Sequence, residues 1–260
     1  RVITIGRVAH ITEGTKPGLG RNTCQYRNRC RRGCPFGAYF SSNSSTLPAA
    51  EATGNMTLRP NSVVSEVMYD ADTKKATGVR MIDAETQEVI EYKAKVVFLC
   101  ASTVASTSIL MQSTSDRFPN GMGNDSGELG HNLMDHHFRL GATATVEGHE
   151  DKYYTGRRPN GIYIPRFRNI GGATNQKDFI RGYGYQGGAS RGNWTEMIKE
   201  MGYGEGLKDA VLTPGGWKIG MTAFGETLPY HDNKMYLDHD KKDQWGLPTV
   251  TFDAEIKENE

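Results

Sequence analysis

Apolar and polar positions alternate most clearly between residues 62 and 94. Three runs, "SVVSEVMYD", "ATGVRMID" and "EVIEYKA", are separated by the polar turns "ADTKK" and "AETQ". Period-two runs joined by connections of hairpin length predict an antiparallel meander. "KVVFLC" (95–100) breaks the alternation, and a short continuous apolar run of this kind predicts a strand buried on both faces. "ASTVASTSILMQS" follows directly and reads as a helix. Ser102 or Thr103 is its expected cap, with Val104, Ile109, Leu110 and Met111 as its apolar positions. A tight strand–turn–helix connection aims helix-start N–H groups at the crevice beyond the strand, where a nucleotide or phosphate can sit. The plainer alternative is an ordinary β–α connection.

Elsewhere the pattern is looser. "RVITIGRVAHIT" opens the chain as a β-like run, and "TLPAAEATGN" reads as a short helix closed by a left-handed turn at Gly54–Asn55. From about residue 141 short β runs with alternating aromatics take over: "GIYIPRFRNI", "FIRGYGYQGGAS", "WKIGMTAFGETL", "NKMYLDHD" and "TVTFDAEI". One helix interrupts them, "NWTEMIKEMG", whose Trp194, Met197, Ile198 and Met201 keep helical spacing. The change of texture puts a domain boundary near residue 140.

Composition narrows the function classes. Of 260 residues, 37% are hydrophobic and 23% charged, with a net charge of +1, so neither nucleic acid nor an anionic membrane is an expected partner. The longest clean apolar run is far below the roughly 20 residues that span a bilayer. Thirty-one glycines predict many turns and close backbone approaches. The chain opens on Arg1 without an initiator methionine and closes on "EIKENE", so a piece of a longer protein is expected and no targeting signal is read.

Three stretches are candidates for chemistry. "GYGYQG" (182–187) matches G-x-G-x-x-G letter for letter, but runs into "GGAS" rather than opening a helix, and is read as an accident within a strand. Cys24-x5-Cys30-x3-Cys34 places three thiols among Arg21, Arg27, Arg29, Arg31 and Arg32. Three thiolates are an iron–sulfur ligand set, and the arginines would offset their charge. Zinc would want a fourth ligand, and packing beside a tight turn is the remaining alternative. "ELGHNLMDHH" gathers His131, Asn132, Asp135, His136 and His137 without zinc spacing, and is read as a polar network orienting a loop over a ligand. His231 and His239 are read as turn decoration.

Taken in order, "CRRGCPFGAYFSS", "STLPAA", "GNMTLRPNSVVSEV", "VVFLCASTVASTSILMQS" and "GNDSGELGHNLMDHH" resemble the glucose–methanol–choline (GMC) oxidoreductases, FAD-dependent enzymes that oxidise alcohols and sugars. "DNKMYLDHDKKDQWGLPTVTFD" is similar, more loosely, to a strand pair of their substrate domain. The resemblance implies a mixed α+β and α/β fold. Residues 1–140 would be part of an FAD-binding Rossmann-like domain with a β-meander. Residues 141–260 would be part of a substrate domain, an antiparallel sheet with helices on one face.

It also implies site residues. Val64 matches the position whose backbone holds the FAD adenine, and Cys100, Ala101 and Ser102 match an Ala-Ala-Gly-like turn beside the cofactor. Asn132, Asp135 and His136 match the loop near the flavin. The family's glycine fingerprint is not in these residues, and the histidine that takes the alcohol's proton would lie beyond Glu260. Implied partners are a small alcohol or sugar and an electron-acceptor protein. In some sugar-oxidising members a cysteine-rich stretch at this place holds an iron–sulfur cluster, whereas others keep the cysteines without one. Packing is the preferred reading of Cys24, Cys30 and Cys34. The rival class is a non-catalytic carbohydrate- or partner-binding module, stacking ligands on Tyr153, Tyr154, Tyr163, Tyr183, Tyr185 and Trp217, or an electron-transfer module built on the three cysteines.

Overall fold

The structure is a computed structural model, and it describes residues 4–7, 11, 18–27, 30, 33–152, 159–171, 176–192, 204–213 and 215–260. Every strand pair described is antiparallel. The chain divides into two compact units, each built from separated stretches. One holds residues 1–57, 136–226 and 260; the other holds 58–135 and 227–259. The chain thus passes from one unit to the other at 135/136, close to the change of texture, and then returns at 227.

In the second unit the meander forms as the alternation predicts: β2 (Ser62–Asp70), β3 (Lys75–Asp83) and β4 (Val89–Lys93) in the order β2-β3-β4. Its two turns are closed by their own aspartates. Asp70 Oδ1 accepts from the N–H groups of Asp72 and Thr73 at 2.9 Å, and Asp83 Oδ1 accepts from Glu85 and Thr86 at 2.8 and 2.9 Å. Asp does this readily because its short carboxylate mimics a turn carbonyl. Helix α2 (Ser102–Gln112) lies against β2. Ser113, 2% exposed, ties the two: its Oγ donates to Ile109 O at 2.6 Å and accepts from Val67 N–H at 2.8 Å. Val67, Met81, Ile82, Ile109 and Met235 are buried and form the core. A second pair, β9 (Lys234–Lys242) and β10 (Pro248–Asp253), completes the unit.

The first unit is a five-stranded sheet in the order β1-β6-β7-β8-β5. Its strands are β1 (Thr4–Arg7), β5 (His136–Val146), β6 (Pro159–Ile164), β7 (Gly184–Arg191) and β8 (Trp217–Glu226). It also carries helix α1 (Thr46–Glu51) and helix α3 (Glu205–Leu212). Gly54 takes the expected left-handed conformation after α1, with φ +69°. "GYGYQG" is indeed strand: β7 begins at Gly184 and pairs with β6 and β8.

Three expectations need correction. Residues 95–100 form no strand, and Val96 and Phe98 are 65% and 84% exposed. Strand identity requires a hydrogen-bonding neighbour, and among the described residues none pairs with this run. Ser102 and Thr103 do not cap α2; its first turn has no side-chain cap, and the cap position is Ala101. Strand β5 was not expected at all, because "HHFRLGATATV" lacks alternation and becomes a strand only through its pairing with β8. The helix expected at 193–202 lies outside the described residues.

Candidate functional site

Val64 sits on β2 opposite Met81, beside a register slip between Val64 and Glu66. Such a bulge bends the strand and re-aims its side chains. The extra residue, Ser65, donates from Oγ to Arg80 O at 3.1 Å, so the bulge is pinned. Arg80 itself bridges the carboxylates of Glu66 and Glu91, and these two partners hold its guanidinium above its ordinary pKa.

Cys100, Ala101 and Ser102 form the crook before α2. Ser102, the first helical residue, has φ +68°. The left-handed region costs a residue with a Cβ about 1 kcal/mol, so the surrounding chain must hold it there. Ala101 N–H donates to Ser106 Oγ at 3.2 Å, which satisfies one donor of the helix start. With no side chain capping the first turn, the donors behind it face an exposed crook. Uncapped N–H groups at the positive end of a helix suit the oxygens of an anionic ligand. Cys100 is exposed and in no disulfide.

The "GHNLMDH" stretch is organised by residues a hundred positions downstream. Gly130 has φ +92°, and a Cβ there would fall 2.2 Å from Met111 Cε and 2.5 Å from Met235 O. Its carbonyl accepts from Met235 N–H at 2.8 Å, and Asn233 O accepts from Leu133 N–H at 2.9 Å. Asn233, 4% exposed, exchanges two 3.1 Å hydrogen bonds with the backbone of Glu255. Asn132 has φ +60°, and its amide donates to Glu128 Oε2 at 2.5 Å. Asp135 N–H donates to Thr227 Oγ1 at 2.9 Å, and Thr227 N–H returns a bond to Asp135 O at 3.1 Å. His136 opens β5 and therefore belongs to the sheet unit, where its Nδ1 lies 3.2 Å from Gly225 O and its ring meets Phe224 edge-on at 5.7 Å. The residues of the motif are thus divided between the two units, at 135/136 in the chain.

His231 is more than turn decoration. Its ring stacks on His131 at 4.1 Å and 15°, its carbonyl lies 2.7 Å from His131 Nδ1, and its Nε2 is 3.5 Å from Glu128 Oε1. Next to it, the Lys257 ammonium holds the Asp232 carboxyl below the usual carboxylate range. Sequence spacing had no means of finding this cluster, since its two halves are local only in space.

Cys24, Cys30 and Cys34 are half-buried, and among the described residues no three His, Cys, Asp or Glu side chains gather as a metal would require. The iron–sulfur reading is therefore not supported. A thiolate cluster needs its ligands converging on one point, and the corner's bonds hold chain to chain instead. Cys24 N–H donates to Ile11 O at 2.8 Å, Asn22 N–H to Phe36 O at 2.7 Å, and Arg21 Nε–H to Gly37 O at 2.7 Å. Burial pushes the Cys34 thiol up, but the N–H groups of Tyr39, Phe36 and Ala38, with Arg27, hold it below its ordinary value. Arg29, Arg31 and Arg32 lie outside the described residues.

The aromatics of the sheet unit are largely spent on each other. Tyr183 and Tyr185 meet edge-on at 5.5 Å, and Phe167 flanks both. Burial, then the hydrogen bond with Tyr183, raises the Tyr185 hydroxyl above its ordinary pKa. Trp217 Nε1–H donates to His149 O at 2.8 Å. Tyr163 is 45% exposed, and Tyr153 and Tyr154 lie outside the described residues.

Comparison with known proteins agrees with the ordered segments. The GMC oxidoreductase family model matches residues 18–138. The chain is 29% identical over 255 residues to 2-methyl-1,2-propanediol dehydrogenase of Mycolicibacterium austroafricanum, covering 95% of this chain and 44% of that protein. It is 26% identical over 243 residues to the fructose dehydrogenase large subunit of Gluconobacter japonicus, covering 92% and 43%. It is 25% identical over 262 residues to the gluconate 2-dehydrogenase flavoprotein of Pantoea cypripedii, covering 94% and 40%. The chain therefore spans less than half the length of the curated relatives it matches. Residues 18–138, which hold the cysteine corner, the meander, the crook and the "GHNLMDH" loop, are thus similar to the GMC oxidoreductases.

Proposed function

We propose that these residues are part of an FAD-dependent oxidoreductase acting on a CH–OH group of a sugar, sugar acid or other alcohol. The observation that carries the reading is the ordered family match over 18–138, together with three relatives that are all dehydrogenases. When bound, the flavin supplies a hydride acceptor for the carbon being oxidised. In this reading the residues present bind and orient. The backbone at Val64 takes the adenine end, and the uncapped first turn of α2 with Cys100, Ala101 and Ser102 holds cofactor oxygens. The loop with Asn132 and Asp135, and His136 beyond it, faces the reacting end. Removal of the alcohol's proton falls to a histidine outside these residues.

The proposed division follows: residues 1–140 as part of the FAD-binding domain and 141–260 as part of the substrate domain. The compact units refine it, because 227–259 shares its core with 58–135, and 1–57 goes with the sheet. The exposed run 95–100 fits a strand of a Rossmann-like sheet whose neighbours are supplied from outside these residues. An electron-acceptor protein is the proposed second partner.

The test is optical. The whole protein should purify yellow, and anaerobic addition of a diol, fructose or gluconate should bleach the flavin band. Colourless protein that takes up no added FAD would sink the proposal. Bulky substitution at the crook, Ala101→Trp, should lower FAD occupancy at least about tenfold, since a steric block costs upward of 1.4 kcal/mol in affinity.

A further inference from the structure

Glu128 joins two groups that lie far apart in the chain. Its Oε2 accepts from the Asn132 amide at 2.5 Å, within the same loop. Its Oε1 lies 3.5 Å from His231 Nε2, on the segment that returns before β9. The loop's own backbone sets the carboxylate between them: His131 N–H donates to Glu128 O at 3.0 Å, and Leu129 N–H donates to Asn124 Oδ1 at 3.0 Å. Asn132 has φ +60°, a left-handed conformation that Asn visits more readily than other residues with a Cβ. The bond to Glu128 fixes where its amide points.

The partners of the two imidazoles fix their protons. A carbonyl oxygen can only accept, so His131 Nδ1, 2.7 Å from His231 O, carries a hydrogen. An ionised carboxylate likewise only accepts, so His231 turns an N–H at Nε2 toward Glu128. A further proton, on His131 Nε2 or His231 Nδ1, makes one ring a cation. Because the rings stack at 4.1 Å and 15°, that first charge repels a second. The other charged groups on this side are matched among themselves. Asp232 feels the His231 charge but pairs with Lys257, whose ammonium also lies 3.9 Å from Glu255 Oε1 and 4.8 Å from the Tyr230 ring centre. Glu128 is the carboxylate that the imidazolium meets.

We propose that Glu128 is a positioning residue for Asn132, and that the stacked His131–His231 pair sets its grip according to pH. With one ring protonated, the carboxylate is held between a cation and the Asn132 amide, and the amide keeps one direction. With both rings neutral, only weaker neutral donors hold the carboxylate, and Asn132 turns more freely. The proton comes from solvent and returns to it. The grip is strongest between the ordinary carboxylate and imidazole ranges, roughly pH 5 to 6.5, and is lost as pH rises above about 7. That Asn132 faces the reacting end of the flavin rests on the proposed function; the coupling rests on the geometry alone.

The test reads Asn132 directly in the whole protein, labelled with nitrogen-15 at its asparagines. The Asn132 side-chain amide signal, assigned by its loss in Asn132→Ala, should shift between about pH 5.5 and 8.5 with an inflection in the imidazole range. Glu128→Gln keeps an oxygen that accepts from Asn132 but carries no charge, so the signal should stay near its acid-side position and lose the inflection. Glu128→Ala should move it to the position of a solvent-exposed amide at every pH. FAD release should be about threefold faster at pH 8 than at pH 6, the scale of an exposed ion pair, and Glu128→Gln should abolish that ratio. An inflection that survives Glu128→Gln unchanged overturns the proposal, because Asn132 would then sense the histidines without the carboxylate. A signal without inflection in the unsubstituted protein, or an unchanged spectrum in Glu128→Ala, also overturns it. A titrating Asn132 signal with pH-independent FAD release, or with no FAD bound, upholds the coupling and counts against placing Asn132 at a flavin, so the two failures are told apart.

Discussion

The two units are held together by different means. In the unit of 58–135 and 227–259, large side chains are buried: Met81 is 2% exposed, Met235 4% and Ile109 6%. In the sheet unit the buried hydrophobics among the described residues are only Ala38 and Ala223. Close backbone approach, which the other unit also shows at Gly78 and Gly130, is present here without large buried side chains. A Cβ on Gly187 would sit 2.1 Å from Gly220 O and 2.4 Å from Met221 Sδ, and one on Gly161 would sit 2.0 Å from Gly187 O. A side-chain core is weakened by removing atoms, whereas tightly apposed strands are weakened by adding them. The contrast also fits the proposed roles, since a cofactor side needs rigid positioning and a substrate face is left open to its ligand.

The sharpest way to break this comparison is to empty one core and compare. Met81→Ala should cost about 3 kcal/mol in urea unfolding, the usual penalty for truncating a fully buried methionine. Leu140→Ala on β5, 62% exposed, should stay within about 0.5 kcal/mol. Equal losses at the two sites would mean that the sheet unit buries its leucine after all. Next, Gly187→Ala should destabilise the protein by about 2 kcal/mol, as overpacking does, although it adds only a methyl group. A neutral result would show that β6, β7 and β8 can move apart freely.

Ser113→Ala sharpens the other side. It removes the hydroxyl that joins α2 to β2 and leaves the Val67 N–H buried and unpaired, so a loss of roughly 1–3 kcal/mol is expected from thermal unfolding. The smallest effect concerns acid. Backbone N–H groups of Thr86 and Glu85, then Arg59, draw the Asp83 carboxyl down to about 2. Its folded value lies below its unfolded one, so its contribution is present above the ordinary carboxylate range and is lost as pH falls through about 2. Asp83→Asn should flatten the fall of the urea midpoint between pH 4 and pH 2. An unchanged acid limb would remove Asp83 from the turn's support.

Much of the second unit was legible beforehand because its signals are local. Hairpin-length turns with aspartates, alternating β runs and a small-residue helix start each act over fewer than about ten residues, and all three meander strands stand where the pattern puts them. The run 95–100 shows where that logic stops. Its apolar character was read correctly, but a strand is a relation between chains and not a property of six residues. Strand β5 is the converse case, a poorly patterned segment recruited by β8. At the site, Asn132, Asp135 and His136 were named from their order along the chain, while His231, Asn233 and Thr227 went unnoticed as their supports. Hydrogen bonds from residues 92 to 100 positions apart leave no periodic trace in either segment.

By itself, then, the amino-acid order determined the segments that match the family and the meander. The tertiary structure decided which of those segments have built surroundings. It put Ser102 in a left-handed turn and stacked His131 on His231. Local propensity and turn chemistry depend on near neighbours in the chain, whereas convergence of charge and ring depends on which distant backbones meet.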